Sequence, residues 1–221
     1  MPVDHDDRRT LLRMSLGLLV APILLGQSRR QPDEARRGRP AMAFIGDSIT
    51  QMWQELHPAY FPPGRINRGI GGQTSVQIRA RMAADVIAHR PRIVHILAGT
   101  NDVAGNGGPM TADESVANLV AMARSARAQG IFPLIGTVPP ANVFYWRPQI
   151  VPGPGIHAIN RRLRALAARE HLQLVDYFTA MADRNGGLRA SLSDDGVHPN
   201  LAGYRVMERQ LNSVLARLPG R

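Results

Sequence analysis

Three side chains of the sequence have the types and spacing that nucleophilic catalysis requires. In the stretch AMAFIGDSITQMW, Ser48 follows an apolar run and the turn-forming pair Gly46-Asp47. A serine hydroxyl becomes a strong nucleophile only when a base removes its proton. His198, in the stretch SDDGVHPN, can be that base, and Asp195, three residues earlier, can hold the other ring nitrogen. This combination predicts attack on the carbonyl carbon of an acyl compound.

Acyl transfer also requires hydrogen-bond donors for the oxyanion of the tetrahedral intermediate. The chain offers three candidates: the backbone N–H of Ser48, the backbone N–H of Gly72 in NRGIGGQTS, and the side-chain amide of Asn101 in LAGTND. Each residue also has an ordinary structural explanation, because Gly, Asn and Ser are common in turns and at helix caps. The catalytic hypothesis therefore depends on the fold bringing all of them together.

The elements that must position these groups alternate between short apolar runs and longer helical stretches. Five strands are predicted, at Met42–Ile45, Arg65–Asn67, Ile93–Ala98, Phe132–Thr137 and Gln173–Asp176. Four helices are predicted, at Val76–His89, Ser115–Gln129, Ile156–His171 and Gly203–Leu218. This alternation predicts a three-layer α/β/α sandwich with a parallel sheet. Ligands bind outside the carboxyl ends of such strands, so the polar groups that follow them are expected to meet at one edge.

The composition excludes several other chemistries. All 27 basic residues are arginines, and with 17 acidic residues they give a formal net charge of +10, but no recognisable nucleic-acid motif accompanies them. Because the chain has no lysine and no cysteine, it has no Walker-type phosphate loop, thiol nucleophile or disulfide. The seven histidines are dispersed, and His95 in IVHIL is predicted to be a buried strand residue. We therefore predict no cofactor, no metal site and no nucleic-acid partner.

The amino-terminal segment has the pattern of an export signal. Arg8-Arg9 precede the apolar stretch 14–25, which is too short to span a bilayer but suits the core of a signal sequence. We predict a twin-arginine-like signal at 1–28, a polar arginine-rich linker at 29–40, and one catalytic domain at 41–221, exported to the periplasm. The alternative is a cytoplasmic protein with a basic arm.

Four short stretches make the chain resemble the SGNH or GDSL-type hydrolases. They are FIGDSIT, NRGIGGQTS, GTND and DGVHPN, which carry in turn Ser48, Gly72, Asn101 and the Asp195/His198 pair. The resemblance extends from about residue 42 to 204. It implies a flavodoxin-like five-stranded sheet in the order 2-1-3-4-5, a Ser-His-Asp triad, an oxyanion hole of Ser48, Gly72 and Asn101, and hydrolysis of esters without a metal.

The long loop 139–155, which is rich in proline and glycine, bears on the substrate. It carries Tyr145, Trp146 and Arg147, which we predict to contact the substrate together with Trp53 near the nucleophile. We expect a serine esterase that removes short acyl groups such as acetyl from a carbohydrate or another polar ester. The alternatives are a lysophospholipase or thioesterase for longer chains, and a non-catalytic carbohydrate-binding module. The sequence predicts no oligomeric state.

Overall fold

The structure is a computed structural model that describes residues 41–218. The predicted signal at 1–28 and the predicted linker at 29–40 lie outside the described residues.

Five parallel strands form one sheet, in the order β2-β1-β3-β4-β5. The strands are β1 (Met42–Gly46), β2 (Arg65–Gly69), β3 (Ile93–Leu97), β4 (Phe132–Gly136) and β5 (Gln173–Val175). Each predicted strand is present, with its ends shifted by no more than two residues. The flavodoxin-like α/β fold expected from the sequence is therefore confirmed.

The described chain also contains eight α-helices and three short 3₁₀ turns, at 58–60, 87–89 and 190–192. The helices are α1 (Ser48–Leu56), α2 (Ser75–Ala80), α3 (Met82–Asp85), α4 (Thr100–Val103), α5 (Ala112–Ala128), α6 (Pro152–Glu170), α7 (Tyr177–Met181) and α8 (Leu201–Ala216). Of these, α1, α4 and α7 lie outside the predicted helices. Within residues 41–218, no helix combines the length and the apolar character needed to cross a membrane.

The helix predicted at 76–89 is wrong as a single element. It is divided into α2, α3 and the turn at 87–89, with the first break at Arg81, whose backbone leaves the helical conformation. The guanidinium of Arg81 donates to the carbonyl oxygens of Gly46 and Arg68 and to the side chains of Gln73 and Asp85. These contacts hold the Arg81 side chain at the carboxyl ends of β1 and β2. They outweigh the preference of the segment 76–89 for a continuous helix.

The helix α6 begins four residues earlier than predicted. Its first residue is Pro152, and Pro154 follows within the first turn. Proline is tolerated there because the first N–H groups of a helix have no partner inside it. The loop after β4 is correspondingly shorter and ends at Val151.

Both faces of the sheet are buried, so the core consists of two layers of side chains. Along β1, Ala43 and Ile45 join one apolar cluster, whereas Met42 and Phe44 join the other. The first cluster is covered by α2, α3, α5 and α6, and the second by α1, α7 and α8. This alternation follows from the two-residue period of a strand.

Trp53 belongs to the second core layer, so its assignment to the substrate site is wrong. Its side chain has 0% exposure and packs edge-on against Phe44 and stacks with Tyr60 and Tyr204. Its indole N–H donates to Glu208 at 3.0 Å. Helix α1 turns this position towards the sheet rather than towards solvent, and the ring therefore holds α1 against α8.

We predict that Trp53→Phe lowers the free energy of unfolding by about 1–3 kcal/mol, because it removes a buried hydrogen bond and leaves unfilled volume. Urea denaturation measures this value. Tyr145→Phe, which changes an aromatic side chain that is 60% exposed, is the control and should unfold like the wild type. Equal stability of Trp53→Phe and the wild type would contradict the core placement.

Candidate active site

The candidate residues meet at the carboxyl edge of the sheet because three strands end in register. Gly46 of β1 lies opposite Gly69 of β2 and Leu97 of β3. A β-carbon on Gly69 would lie 2.1 Å from the backbone nitrogen of Gln51, so only glycine lets α1 approach β2 this closely. The segments that follow these strands carry Ser48, the 70–74 loop and α4.

Ser48 occupies the first position of α1, immediately after the strand. Asp47 is the N-cap of this helix, and its Oδ1 accepts a hydrogen bond from the backbone N–H of Ile49 at 3.0 Å. Helix α8 is tied to the same turn, since the Tyr204 hydroxyl donates to the Ile49 carbonyl oxygen at 2.8 Å. The serine therefore has a fixed backbone and a half-buried side chain.

Ser48, His198 and Asp195 form a continuous chain of hydrogen bonds. The distance from Ser48 Oγ to His198 Nε2 is 2.9 Å, and the distance from His198 Nδ1 to Asp195 Oδ2 is 2.7 Å. With a proton on Nδ1, the ring donates to the carboxylate and leaves Nε2 free to accept from the serine hydroxyl. This arrangement can remove the proton of Ser48.

The loop 193–198 holds the carboxylate of Asp195 by itself. Its Oδ1 accepts from the backbone N–H groups of Val197 at 2.8 Å and His198 at 2.7 Å, and from the Ser193 hydroxyl at 3.2 Å. Burial acts to raise the pKa of Asp195, but the hydrogen bonds from His198 and from the two N–H groups outweigh burial, and the pKa is lowered. Asp195 is thus held as a carboxylate facing His198.

Asp194, the neighbour of Asp195, is exposed and forms no hydrogen bond with the His198 side chain. It accepts a hydrogen bond from the side chain of Asn200 instead.

Gly72 and Asn101 line the same cavity as Ser48 and His198. This cavity is open to solvent and has a volume of about 470 Å³. Gly72 has a φ of +76°, a conformation that glycine adopts without strain, and it forms part of the cavity wall. The Nδ2 of Asn101 donates to the carbonyl oxygen of Gln73 at 3.1 Å and lies 3.4 Å from Asp47 Oδ2.

Asn106 also lines this cavity, although the sequence analysis did not select it. Its Nδ2 donates to Asn101 Oδ1 at 2.6 Å, and its Oδ1 accepts from the Trp146 indole N–H at 2.9 Å. In the sequence, Asn106 stands in the glycine-rich stretch VAGNGG, where it has the pattern of an ordinary turn residue. No local signal distinguishes it, since Trp146 and Gly72, which it also contacts, lie far from it in the sequence.

The three side chains of the loop after β4 that were predicted to contact the substrate line two different cavities. Tyr145 and Trp146 line the catalytic cavity, and the Trp146 ring stacks near His198 with 6.4 Å between ring centroids. Arg147 instead lines a neighbouring cavity of about 530 Å³ with residues of α4 and with Ile150. Tyr145 and Trp146 are therefore the loop side chains that face the nucleophile, and Arg147 does not join them.

A second, more apolar groove of about 620 Å³ adjoins the catalytic cavity on the other side of His198. Met52 and His198 line both spaces. The groove continues over Leu56 and Leu201, which are 44% and 38% exposed. The two spaces therefore meet at Met52 and His198.

The carboxyl of Asp47, which directly precedes Ser48, is buried. Burial raises its pKa to about 7 from an ordinary value of 3.8, and the N–H of Ile49 and the ring of His198 offset only part of this effect. Its exposed fraction is 1%. The group that caps α1 is therefore partly protonated near neutral pH.

The fold is that of the GDSL-type hydrolases: a five-stranded parallel sheet with helices on both faces, in which Ser48 follows β1 and His198 lies in the loop before α8. Residues 44–206 match the GDSL-like lipase/acylhydrolase family, and the chain belongs to this family. It is an enzyme of the GDSL esterase and acylhydrolase type, which disfavours the non-catalytic carbohydrate-binding module. Among the described residues, no group of three or more acidic, histidine or cysteine side chains is arranged to hold a metal ion.

Known proteins resemble the chain over most of its length. Esterase TesA of Pseudomonas aeruginosa is 33% identical over 198 residues, which cover 86% of this chain and 90% of that protein. The crystal structure of a GDSL-like lipase from Bacteroides thetaiotaomicron has 37% identity and a TM-score of 0.76, covering 80% of this chain and 88% of that one. An acetyl xylan esterase has 26% identity and a TM-score of 0.63, covering 80% and 99%.

We predict that the stability of the wild type relative to Asp47→Asn falls as the pH rises from 4 to 8. The raised pKa means that the folded state binds the Asp47 proton more tightly than the unfolded state does. Folding is therefore favoured at low pH, and this advantage is lost as the pH rises to about 7. The slope of the difference should be at most about 1.4 kcal/mol per pH unit.

Urea denaturation of both proteins across this pH range measures the difference. Glu55→Gln, which removes an exposed carboxylate from the same helix, controls for the loss of one charge. A difference between Asp47→Asn and the wild type that is constant with pH would contradict a buried, protonated Asp47.

Proposed function

We propose that the chain is a serine esterase with Ser48 as nucleophile, His198 as general base and acid, and Asp195 as the group that orients the histidine. The observation that carries this proposal is the unbroken hydrogen-bond chain from Ser48 Oγ through His198 to Asp195. Its two links, of 2.9 and 2.7 Å, are within the range of strong hydrogen bonds. This is the geometry that proton transfer and attack require together.

In the acylation step, His198 Nε2 takes the proton of Ser48 while Oγ forms a bond to the carbonyl carbon of the ester. The carbonyl oxygen becomes an oxyanion, which the backbone N–H groups of Ser48 and Gly72 and the Nδ2 of Asn101 stabilise. The protonated His198 then gives its proton to the alcohol oxygen as the carbon–oxygen bond breaks. The alcohol leaves, and the acyl group remains on Ser48.

In the deacylation step, a water molecule takes the place of the alcohol. His198 removes a proton from this water as it attacks the acyl carbon, and the oxyanion forms again in the same hole. Collapse of the intermediate breaks the bond to Ser48 Oγ, which recovers its proton from His198. The products are the carboxylic acid and the free enzyme.

We predict that Ser48→Ala and His198→Ala each reduce hydrolysis of p-nitrophenyl acetate to the background rate, because the two residues act as one unit. Asn101→Ala should lower kcat about 10²- to 10³-fold, which is the usual effect of losing one oxyanion donor. Ser191→Ala, at an exposed serine outside the cavity, is the control. Substantial activity in a folded Ser48→Ala protein would refute the assignment of the nucleophile.

We further propose that the acyl group is short, such as acetyl, and that the alcohol part is a carbohydrate or another polar group. The cavity beside Ser48 is open to solvent, and its wall includes the rings of Tyr145 and Trp146. Aromatic faces of this kind pack well against the apolar faces of sugars. A relative with 26% identity is an acetyl xylan esterase, which supports the same substrate class.

A lysophospholipase or thioesterase for longer acyl chains is the second candidate. The observation in its favour is the apolar groove over Met52, Leu56 and Leu201, which begins at His198. Each CH₂ group buried there would contribute about 0.8 kcal/mol. The two candidates therefore differ in how catalytic efficiency depends on acyl length.

We predict that kcat/KM for p-nitrophenyl esters of two to twelve carbons is highest for acetyl and butyryl. The extra carbons of longer chains would gain little from an open site. Leu56→Asn distinguishes the candidates further, since it should leave hydrolysis of the acetyl ester unchanged and impair longer esters only if they occupy the groove. A maximum at eight or more carbons would favour the second candidate.

We also propose that residues 1–28 direct export to the periplasm by the twin-arginine route. The support is the arginine pair before a short apolar stretch, together with a lipoprotein of Bacillus subtilis that is 37% identical over 78 residues. Replacing Arg8 and Arg9 with alanine should retain the protein in the cytoplasm. If cell fractionation finds the variant and the parent in the same compartment, the proposal is wrong.

A further inference from the structure

A row of three side chains leads from the loop after β4 to the amide of Asn101. The Trp146 indole N–H donates to Asn106 Oδ1 at 2.9 Å, and Asn106 Nδ2 donates to Asn101 Oδ1 at 2.6 Å. At the far end, Asn101 Nδ2 faces the carbonyl oxygen of Gln73 and the carboxyl of Asp47. The row therefore ends at the atom that would donate to an oxyanion.

Trp146 determines the direction in which each hydrogen bond of this row runs from donor to acceptor. An indole nitrogen can only donate a hydrogen bond, so the atom that faces Trp146 must be the oxygen of the Asn106 amide. The Nδ2 of Asn106 must then face Asn101, and this places the oxygen of Asn101 towards Asn106. In consequence, the NH₂ group of Asn101 points away from Asn106.

A side-chain amide has nearly the same shape when its oxygen and nitrogen are exchanged, so shape alone cannot orient Asn101. In the exchanged orientation, the oxygen of Asn101 would face the carbonyl oxygen of Gln73, and its NH₂ group would face the NH₂ group of Asn106. That arrangement sets an acceptor against an acceptor and a donor against a donor, at a buried residue. The hydrogen bond from Asn106 therefore favours the orientation that an oxyanion hole needs.

Asn106 is itself held against two of the three parts of the proposed oxyanion hole, Asn101 and Gly72. Its backbone N–H donates to the Asn101 carbonyl oxygen at 3.0 Å, and its Nδ2 lies 3.4 Å from the Gly72 carbonyl oxygen. The turn that brings it back to Asn101 contains Gly105, with a φ of +71°. Asn106 thus contacts Asn101, Gly72 and Trp146 simultaneously.

We infer that Asn106 and the indole N–H of Trp146 are positioning residues that orient the Asn101 amide towards the oxyanion. This inference rests on the proposed ester hydrolysis, and it adds to it two residues with a defined role. Trp146 would then serve the reaction through its N–H group as well as through the ring that lines the cavity. The role requires no direct contact between Asn106 and the substrate.

The first test is steady-state hydrolysis of p-nitrophenyl acetate. Asn106→Ala should lower kcat about 5- to 10-fold with little change in KM, as expected for the loss of one neutral hydrogen bond. Trp146→Phe, which keeps an aromatic ring but removes the N–H group, should lower kcat by a similar or smaller factor. Asn185→Ala, at an exposed asparagine outside the cavity, is the matched control and should leave kcat unchanged.

The second test separates orientation from packing. Asn106→Asp keeps the shape of the side chain but turns an acceptor towards the oxygen of Asn101, so it should lower kcat more than Asn106→Ala does. A purely structural role predicts the opposite order. In an Asn101→Ala background, Asn106→Ala should have no further effect, because no amide remains to be oriented. An unchanged kcat in Asn106→Ala, or an undiminished effect in the Asn101→Ala background, would overturn the inference.

A third measurement does not depend on turnover. The hydrogen-exchange rate of the Asn101 side-chain amide, followed by NMR in the full chain, should rise several-fold in Asn106→Ala and stay at the wild-type value in Asn185→Ala. Equal rates in the wild type and Asn106→Ala would overturn the inference. Failure of the wild type to hydrolyse any ester would instead overturn the proposed function, while the exchange rates would still decide whether Asn106 orients Asn101.

Discussion

The alignment of β1 with its two neighbours is the constraint on which the rest of the structure depends. Because β1 pairs in parallel with both β2 and β3 and ends level with them, three chain segments leave the sheet at one edge. Ser48, the 70–74 loop and α4 are these segments. A shift of one residue in either ladder would exchange the faces of the strand and bury the wrong side chains. The two apolar layers therefore also specify where the polar groups meet.

The histidine loop, residues 193–198, differs from the sheet because contacts between neighbouring residues fix its geometry. Asp195 binds two backbone N–H groups within three residues and the ring of His198, so the loop holds its own charged pair. What the sheet supplies is the position of this loop opposite Ser48, and α8 fixes that position through the Tyr204 hydroxyl. Because Ser48 and the Asp195–His198 pair are each held by local contacts, the proposed ester hydrolysis would require little reorganisation of these groups.

The shape of the cavity beside Ser48 depends on buried polar side chains, each of which needs a hydrogen-bonding partner. The Asp47 side chain caps α1, although its carboxyl group loses its hydration in this buried position. The side chain of Asn101 lies between this carboxyl and Asn106. In a low-dielectric environment, such groups stabilise a single arrangement when they are satisfied and are costly when they are not. This polar network extends from Asp47, which precedes Ser48, to Trp146 in the loop after β4.

The sequence by itself determined the five strands and the five residues proposed for catalysis, because these depend on signals that lie close together in the chain, whereas the strand order was implied by the resemblance to the GDSL-type hydrolases. Apolar runs followed by Gly-Asp-Ser, Gly-Gly, Thr-Asn-Asp and the Asp195–His198 spacing are readable without knowing any distant neighbour. The tertiary structure alone decided that Trp53 is core whereas Trp146 faces the cavity, that Arg81 interrupts a helix, and that Asn106 touches Asn101. These outcomes depend on partners that are many residues away, such as Glu208 for Trp53, Gly46 for Arg81 and Trp146 for Asn106. Local patterns carry no information about such partners until the sheet has brought them together.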